Sequence, residues 1–152
     1  MPVIIYLRAL IAILFIAFQP PPVFGQGVQA VPALTARVID QTSTLSAAES
    51  SALESRLSAF EQATGAQVVV QMVMTTAPED IASYANRVAN TWKIGRKNVG
   101  DGLLLLVAKE DRKIRIEVAK SLEGAVPDLA AHRVIDEAIT PQFKQGRLAA
   151  RI

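Results

Sequence analysis

Asp40, Asp101, Glu117, Glu123 and Asp128 are the side chains of this sequence whose type and placement suit chemistry. Carboxylate oxygens are hard donors that suit calcium or magnesium. Phosphate-ester hydrolysis would need an aspartate nucleophile or a metal-activated water, and Asp101 could serve in either role. No EF-hand loop joins these acids, so a cation site would be assembled from separate loops. Each acid also has a structural use. Asp101 between two glycines suits a turn, Glu117 a solvent-facing strand position, and Asp128 a helix N-cap. Other catalytic chemistry is thinly supplied. His132 is the only histidine and falls within a helical segment, where a surface or interface role suits it better than catalysis. The sequence has no cysteine nucleophile, no Gly-x-Ser-x-Gly elbow and no His-rich metal motif.

The elements that must position these acids centre on Asn98 to Asp128. A glycine-flanked turn at Asp101 precedes an uninterrupted apolar run, Leu103 to Ala108, which suits a strand buried on both faces. The polar turn Lys109 to Arg112 follows, and then the alternating segment Lys113 to Val118, which suits a partner strand with one wetter face. A hairpin is the simplest connection, and its register brings Asp101 near Lys120.

Before the hairpin, Arg37 to Asp40 reads as a short edge strand or an ordered arm. Ser46 and Glu49 form a capping box, and the helix behind it places Leu53, Leu57 and Phe60 on one face. Gly65 supplies a left-handed C-terminal residue. Ala66 to Met74, rich in branched residues, favours a strand. A second helix is predicted from Pro78, with Glu79 and Asp80 in its first turn and a buried stripe of Ile81, Tyr84, Ala85, Val88 and Trp92. At that spacing Trp92 reads as core rather than a ligand platform. The basic loop Gly95 to Asn98 could grip a phosphate, but with no Walker spacing it reads as a solvated turn. After the hairpin, Asp128 is expected to cap a helix with Val134, Ile135, Ala138 and Ile139 on its apolar face. Pro141 interrupts it, and Phe143 and Leu148 pack in a short terminal segment. The predicted fold class is α/β, a three-layer α/β/α sandwich around a small mixed β-sheet.

Residues 1–25 read as a secretory signal peptide. Arg8 is their only cation, Leu10 to Phe18 are apolar, and Pro20 to Pro22 break any helix. Cleavage after Gly25, with Val23 two residues before it, is preferred over cleavage after Ala30. An uncleaved anchor is disfavoured because a spanning helix needs about 20 apolar residues. Residues 26–36 form an extended, loosely held leader, and residues 37–152 form the domain. The chain has 16 basic and 14 acidic residues, and loss of Arg8 leaves 15 against 14. Nothing in that balance argues for a nucleic-acid partner. No later stretch is long and apolar enough to span a membrane, so no integral membrane segment is expected after signal removal.

From Val38 onward the sequence resembles the TPM domain, found in thylakoid-lumen photosystem repair proteins and exported bacterial proteins. The matching residues are Val38-Ile39-Asp40, Thr44-Leu45-Ser46, Glu61 with Thr64 to Gln67, and Trp92 to Gly95. The fullest match runs from Asp101 to Ala108, with Asp111-Arg112-Lys113 and Arg115 to Val118. Leu122-Glu123-Gly124, Ile135-Asp136-Glu137, Pro141 and Phe143 complete it. The resemblance implies an α/β/α sandwich, a periplasmic or other extracytoplasmic location, and partners among membrane or envelope protein complexes. It also implies calcium near the acidic end of the sheet, with Asp101, Glu123 and Asp128 as expected ligands. Some plant members are acid phosphatases. The expected function is therefore a non-catalytic accessory module that binds calcium, with a weak metal-dependent acid phosphatase as the alternative. Two departures stand out. Ala119-Lys120-Ser121 replaces a glycine-rich turn, bringing a lysine towards Asp101, and the C-terminal helix is expected to be shortened.

Overall fold

The computed structural model describes residues 27–97, 99–124, 130 and 133–139. Its centre is a four-stranded mixed sheet in the order β1-β2-β3-β4. The strands are β1 (Val38–Asp40), β2 (Gln67–Val73), β3 (Gly102–Ala108) and β4 (Lys113–Val118). The first three run parallel, and β4 returns antiparallel to β3 with Leu103 opposite Val118 and Ala108 opposite Lys113. That is the predicted hairpin, closed by the turn before Lys113.

Helix α1 (Ala47–Thr64) covers one face and helix α2 (Ile81–Trp92) the other. The period-2 geometry of a strand divides the sheet cleanly between them. Val70, Met72, Leu105, Val107 and Ile116 face Leu53 and Leu57 of α1. Val69, Val73, Leu104 and Leu106 face Tyr84, Ala85 and Val88 of α2. Each fully buried Leu or Val contributes roughly 1.5–3 kcal/mol relative to exposure. Both parallel crossovers step the same way across the sheet yet lie on opposite faces. They therefore have opposite hands, so one departs from the right-handed rule for such connections.

Sequence logic accounts for the helix ends. Ser46 accepts the Glu49 N–H and Glu49 accepts the Ser46 N–H at 2.8 Å, so the capping box is complete. Gly65 adopts φ 79° and donates to the Glu61 carbonyl. Three expectations need correction. Helix α2 begins at Ile81, because Asp80 is its N-cap, accepting from Ala82 and Ser83 at 3.0 Å. Phe60 is 47% exposed, although it shares a helical face with Leu53 and Leu57. Arg37, which pairs with Glu54 and Glu61, ties α1 to the start of β1 beside the buried Leu53 and Leu57. The third correction concerns the leader, which is tied down rather than loose. Its Val31 and Leu34 pack against the α2-face core, Trp92 donates Nε1–H to the Pro32 carbonyl at 2.7 Å, and Arg87 donates to the Gln29 carbonyl at 2.8 Å.

Beyond β4 the chain makes a 3₁₀ turn (Lys120–Leu122) and later a π-helical segment (Ile135–Ile139). Ile135 packs against the α1-face core, while Val134, expected on the apolar face, is 47% exposed. The expected signal peptide, Asp128, His132, Pro141, Phe143 and Leu148 lie outside the described residues.

Candidate functional site

Asp101 ends the loop between α2 and β3, one residue before the strand, and it is 4% exposed. Its carboxylate is fully engaged. The Arg96 backbone N–H donates to Oδ1 at 2.8 Å and Arg96 Nε to Oδ2 at 2.7 Å, with Nη2 also on Oδ2. The Arg96 guanidinium, helped by its backbone N–H, holds the Asp101 carboxyl below the usual carboxylate range. The basic loop is thus the clamp of its own aspartate. Arg96, not Lys120, supplies the cation, although the β3–β4 register does bring Lys120 to the same end of the sheet.

The loop between α2 and β3 closes tightly around this pair. Val99 and Gly100 donate to the Arg96 carbonyl, and Ser121 Oγ donates to the Gly100 carbonyl at 2.6 Å. The two ends of the loop touch through glycine. A Cβ on Gly102 would lie 2.2 Å from the Ile94 carbonyl oxygen, so only glycine fits there.

Beside this loop lies a cleft of about 360 Å³, between α2 and the end of β4. Its floor includes Ile94, Gly102 and Leu104. One wall carries Asn86, Asn90 and Lys93, successive turns of α2 and its C-cap, and the other carries Glu117, Lys120 and Glu123. Glu117 accepts from Asn86 Nδ2 at 3.2 Å and from Arg115 at 3.1–3.2 Å. Asn90 in turn donates to the Asn86 carboxamide oxygen at 2.9 Å. Two carboxylates and two ammonium groups line the cleft above an apolar floor, with carboxamides that can both donate and accept. Such a lining suits a polar, extended ligand carrying both charges better than a bare cation.

Of the described acids, two are brought to one cleft. Glu117 and Glu123 share the cleft, and Asp101 lies just behind it with both oxygens taken by Arg96. Asp128 is outside the described residues. Asp40 is at the opposite end of the sheet, where its oxygens accept from Thr42 and from the Leu45 N–H at 2.8 Å. Asp111, at that same end, accepts from Thr75 and Thr76. Among the described residues no three His, Cys, Asp or Glu side chains group as a metal site.

Sequence reasoning missed Asn86, Asn90 and Lys93 as a wall and Arg96 as the partner of Asp101. A signal was present for the first group. Asn86 and Asn90 are one helical turn apart and flank the buried Ala85 and Val88, which puts them at the edge of the packed face.

No curated protein matches the chain. Solved structures do. The N-terminal domain of a protein from P. gingivalis is similar with a TM-score of 0.71 and 27% identity, covering 78% of this chain and 79% of that one. The N-terminal domain of a protein from Corynebacterium glutamicum is similar in fold, with a TM-score of 0.60 and 14% identity over 81% and 78% of the two chains. The TPM domain matches residues 38–150, which include the whole sheet, both helices and the cleft. The chain belongs to the TPM domain family.

Proposed function

We propose that this protein is an exported accessory module that binds polypeptide segments of envelope protein complexes through the α2–β4 cleft, without catalysing a reaction. The observation that carries the reading is the lining of that cleft: Asn86 and Asn90 above Ile94 and Leu104, with Lys93 on one wall and Glu117, Lys120 and Glu123 on the other. A carboxamide presents one donor side and one acceptor, the same pair that a peptide unit presents. Mixed charges at the rim favour register and on-rate more than raw affinity. Asp101, next to Gly102 of the cleft floor, is paired with Arg96 and keeps the loop closed rather than reaching a ligand. Calcium, where present, would draw on Glu123 at the cleft and favour acidic partner segments.

A photo-crosslinking side chain at position 90 tests this, with one at Ser58 on α1, the helix that covers the opposite face of the sheet, as control. The reading requires adducts with an envelope protein from position 90 but not from position 58, lost when Lys120→Glu is added. Equal labelling from both faces would contradict it. A second reading, metal-dependent phosphate-ester hydrolysis, draws on the two lysines that could receive a phosphate and on Glu117 as a base in the same cleft.

A further inference from the structure

The sheet has two edges, β1 and β4. A strand edge presents N–H and C=O groups that can template pairing with another chain. The β1 edge is closed. Glu54 Oε2 accepts the Arg37 N–H at 2.8 Å and the Val38 N–H at 3.0 Å, so a carboxylate from α1 occupies the outer side of that strand. The β4 edge is built differently. Ala119 donates to the Gly102 carbonyl, and the register continues from Leu103 opposite Val118 to Ala108 opposite Lys113. Antiparallel ladders alternate, so Lys113, Arg115 and Glu117 turn their backbone groups to β3, whereas Ile114, Ile116 and Val118 turn theirs away from it. Among the described residues no loop or cap hydrogen bond meets those outward groups.

The side chains of this edge complement a copy of themselves. Ile116 is buried on the α1 face, and Ile114 and Val118 pack against the same core. Arg115 and Glu117 alternate with them and lie on the α2 face, where Glu117 meets Asn86. Arg115 uses Nε and Nη2 on its own Glu117, and its Nη1 has no partner among the described residues. A two-fold axis through Ile116, normal to the sheet, sets Ile116 opposite Ile116 of a second copy. It also sets Ile114 opposite Val118, and Arg115 opposite Glu117. Every outward backbone group is then paired, with two bonds across each facing pair. A shift of two residues would set Arg115 against Arg115 or Glu117 against Glu117, which repel. A slip of one residue would turn the apolar side chains to the wrong face. One register therefore satisfies the backbone, the apolar face and the charges together.

We propose that β4 is the contact surface of a two-fold dimer, in which the four strands of each copy join into one continuous sheet through β4 paired antiparallel with itself. The contact is isologous, the same patch serving both copies. The axis keeps each helix on its own face, so both α2–β4 clefts open on one side of the joined sheet. The dimer stands on β4 alone and does not depend on what the cleft binds.

Sedimentation equilibrium of the purified protein over a dilution series tests it, and the wild type should follow a monomer–dimer equilibrium. Arg115→Glu opposes carboxylate to carboxylate twice and should weaken the dimer by about tenfold or more, and Glu117→Arg should do the same with cations. Mixing the two variants restores both attractive pairs. The mixture should form a one-to-one heterodimer at concentrations where neither variant pairs with itself. In the wild type, amide exchange at Ile114, Ile116 and Val118 should slow as the dimer forms. A wild type that is monomeric at every concentration overturns the proposal. So does a dimer that both charge inversions leave intact, since its contact lies elsewhere, and so does failure of the mixed variants to associate while each melts cooperatively. Should either variant lose its cooperative melt, the wild-type exchange decides: slowing at those three amides on dimerisation supports the proposal, and dimerisation without it overturns it.

Discussion

Gln71 offers the sharpest test of how α2 is seated. It is fully buried in the middle of β2, on the face that α2 covers. Its Nε2 donates to the Tyr84 hydroxyl at a long 3.2 Å, and its Oε1 has no hydrogen-bond partner among the described residues. Tyr84 is equally buried, and burial raises its hydroxyl pKa. An unpaired buried polar atom costs about 1–3 kcal/mol, whereas a satisfied hydrogen bond returns only about 1 kcal/mol. Tyr84→Phe leaves both ends of the Gln71 amide unpaired and should destabilise by about 1–2 kcal/mol. Gln71→Leu exchanges one unpaired atom, Oε1, for another, the Tyr84 hydroxyl, and should fall near the wild type. The double variant Gln71→Leu/Tyr84→Phe has no unpaired polar atom at the site and should exceed the wild type by about 1–2 kcal/mol. Urea unfolding of the four proteins reads the order directly. A double variant less stable than the wild type would refute the reasoning, because it would mean that Oε1 is satisfied, for instance by a buried water, and that the pair is a complete network.

Gly102→Ala should cost at least about 3 kcal/mol in urea unfolding, since its Cβ would lie 2.2 Å from the Ile94 carbonyl oxygen, where neither backbone can give way. Acid should destabilise the domain through three clamped aspartates. Arg96 lowers Asp101; for Asp40, burial acts upward but hydrogen bonds from Leu45 and Thr42 prevail; the Thr76 N–H and Thr75 hydroxyl lower Asp111. Each contribution is present above the unfolded value near about 3.9 and is lost as pH falls through the lower folded value, so melting temperature should hold from neutral to about pH 5 and drop below about pH 4. Asp101→Asn should shrink that acid-side drop in a melting series across pH. In calorimetric titration with calcium, any heat seen with the wild type should persist in Asp101→Asn, because Arg96 rather than a cation occupies that carboxylate; loss of the heat would make Asp101 a ligand.

Much of the fold is legible in the sequence because each element announces itself locally. Leu103 to Ala108 is too short and too apolar for anything but a doubly buried strand, and it fills the centre of the sheet. The capping box and Gly65 fix both ends of α1. What escaped depends on tertiary context. Pro78 can start a helix by composition, but the loop before α2 is fixed by Asp111 from the distant hairpin turn, and Asp80 takes the cap. Helical spacing groups Phe60 with Leu53 and Leu57, yet spacing alone does not say how far the sheet extends beneath the helix. The site was harder still. Glycines around Asp101 signal a turn, but its pairing with Arg96 needs positive φ at Gly95 and Gly100 and the contact of Ile94 with Gly102, a closure that residue types do not specify. The acids drew attention because they suit metals, whereas the cleft is as much the work of Asn86, Asn90 and Lys93 on the far side.

The central claim is that the α2–β4 cleft binds without catalysing. It is tested most directly by phosphate-ester turnover, using p-nitrophenyl phosphate with the purified protein in calcium, magnesium or manganese, across acidic to neutral pH. The account predicts no turnover above the blank for the wild type and the same for Glu117→Gln. Metal-dependent turnover by the wild type that Glu117→Gln abolishes would contradict it and make the cleft an active site.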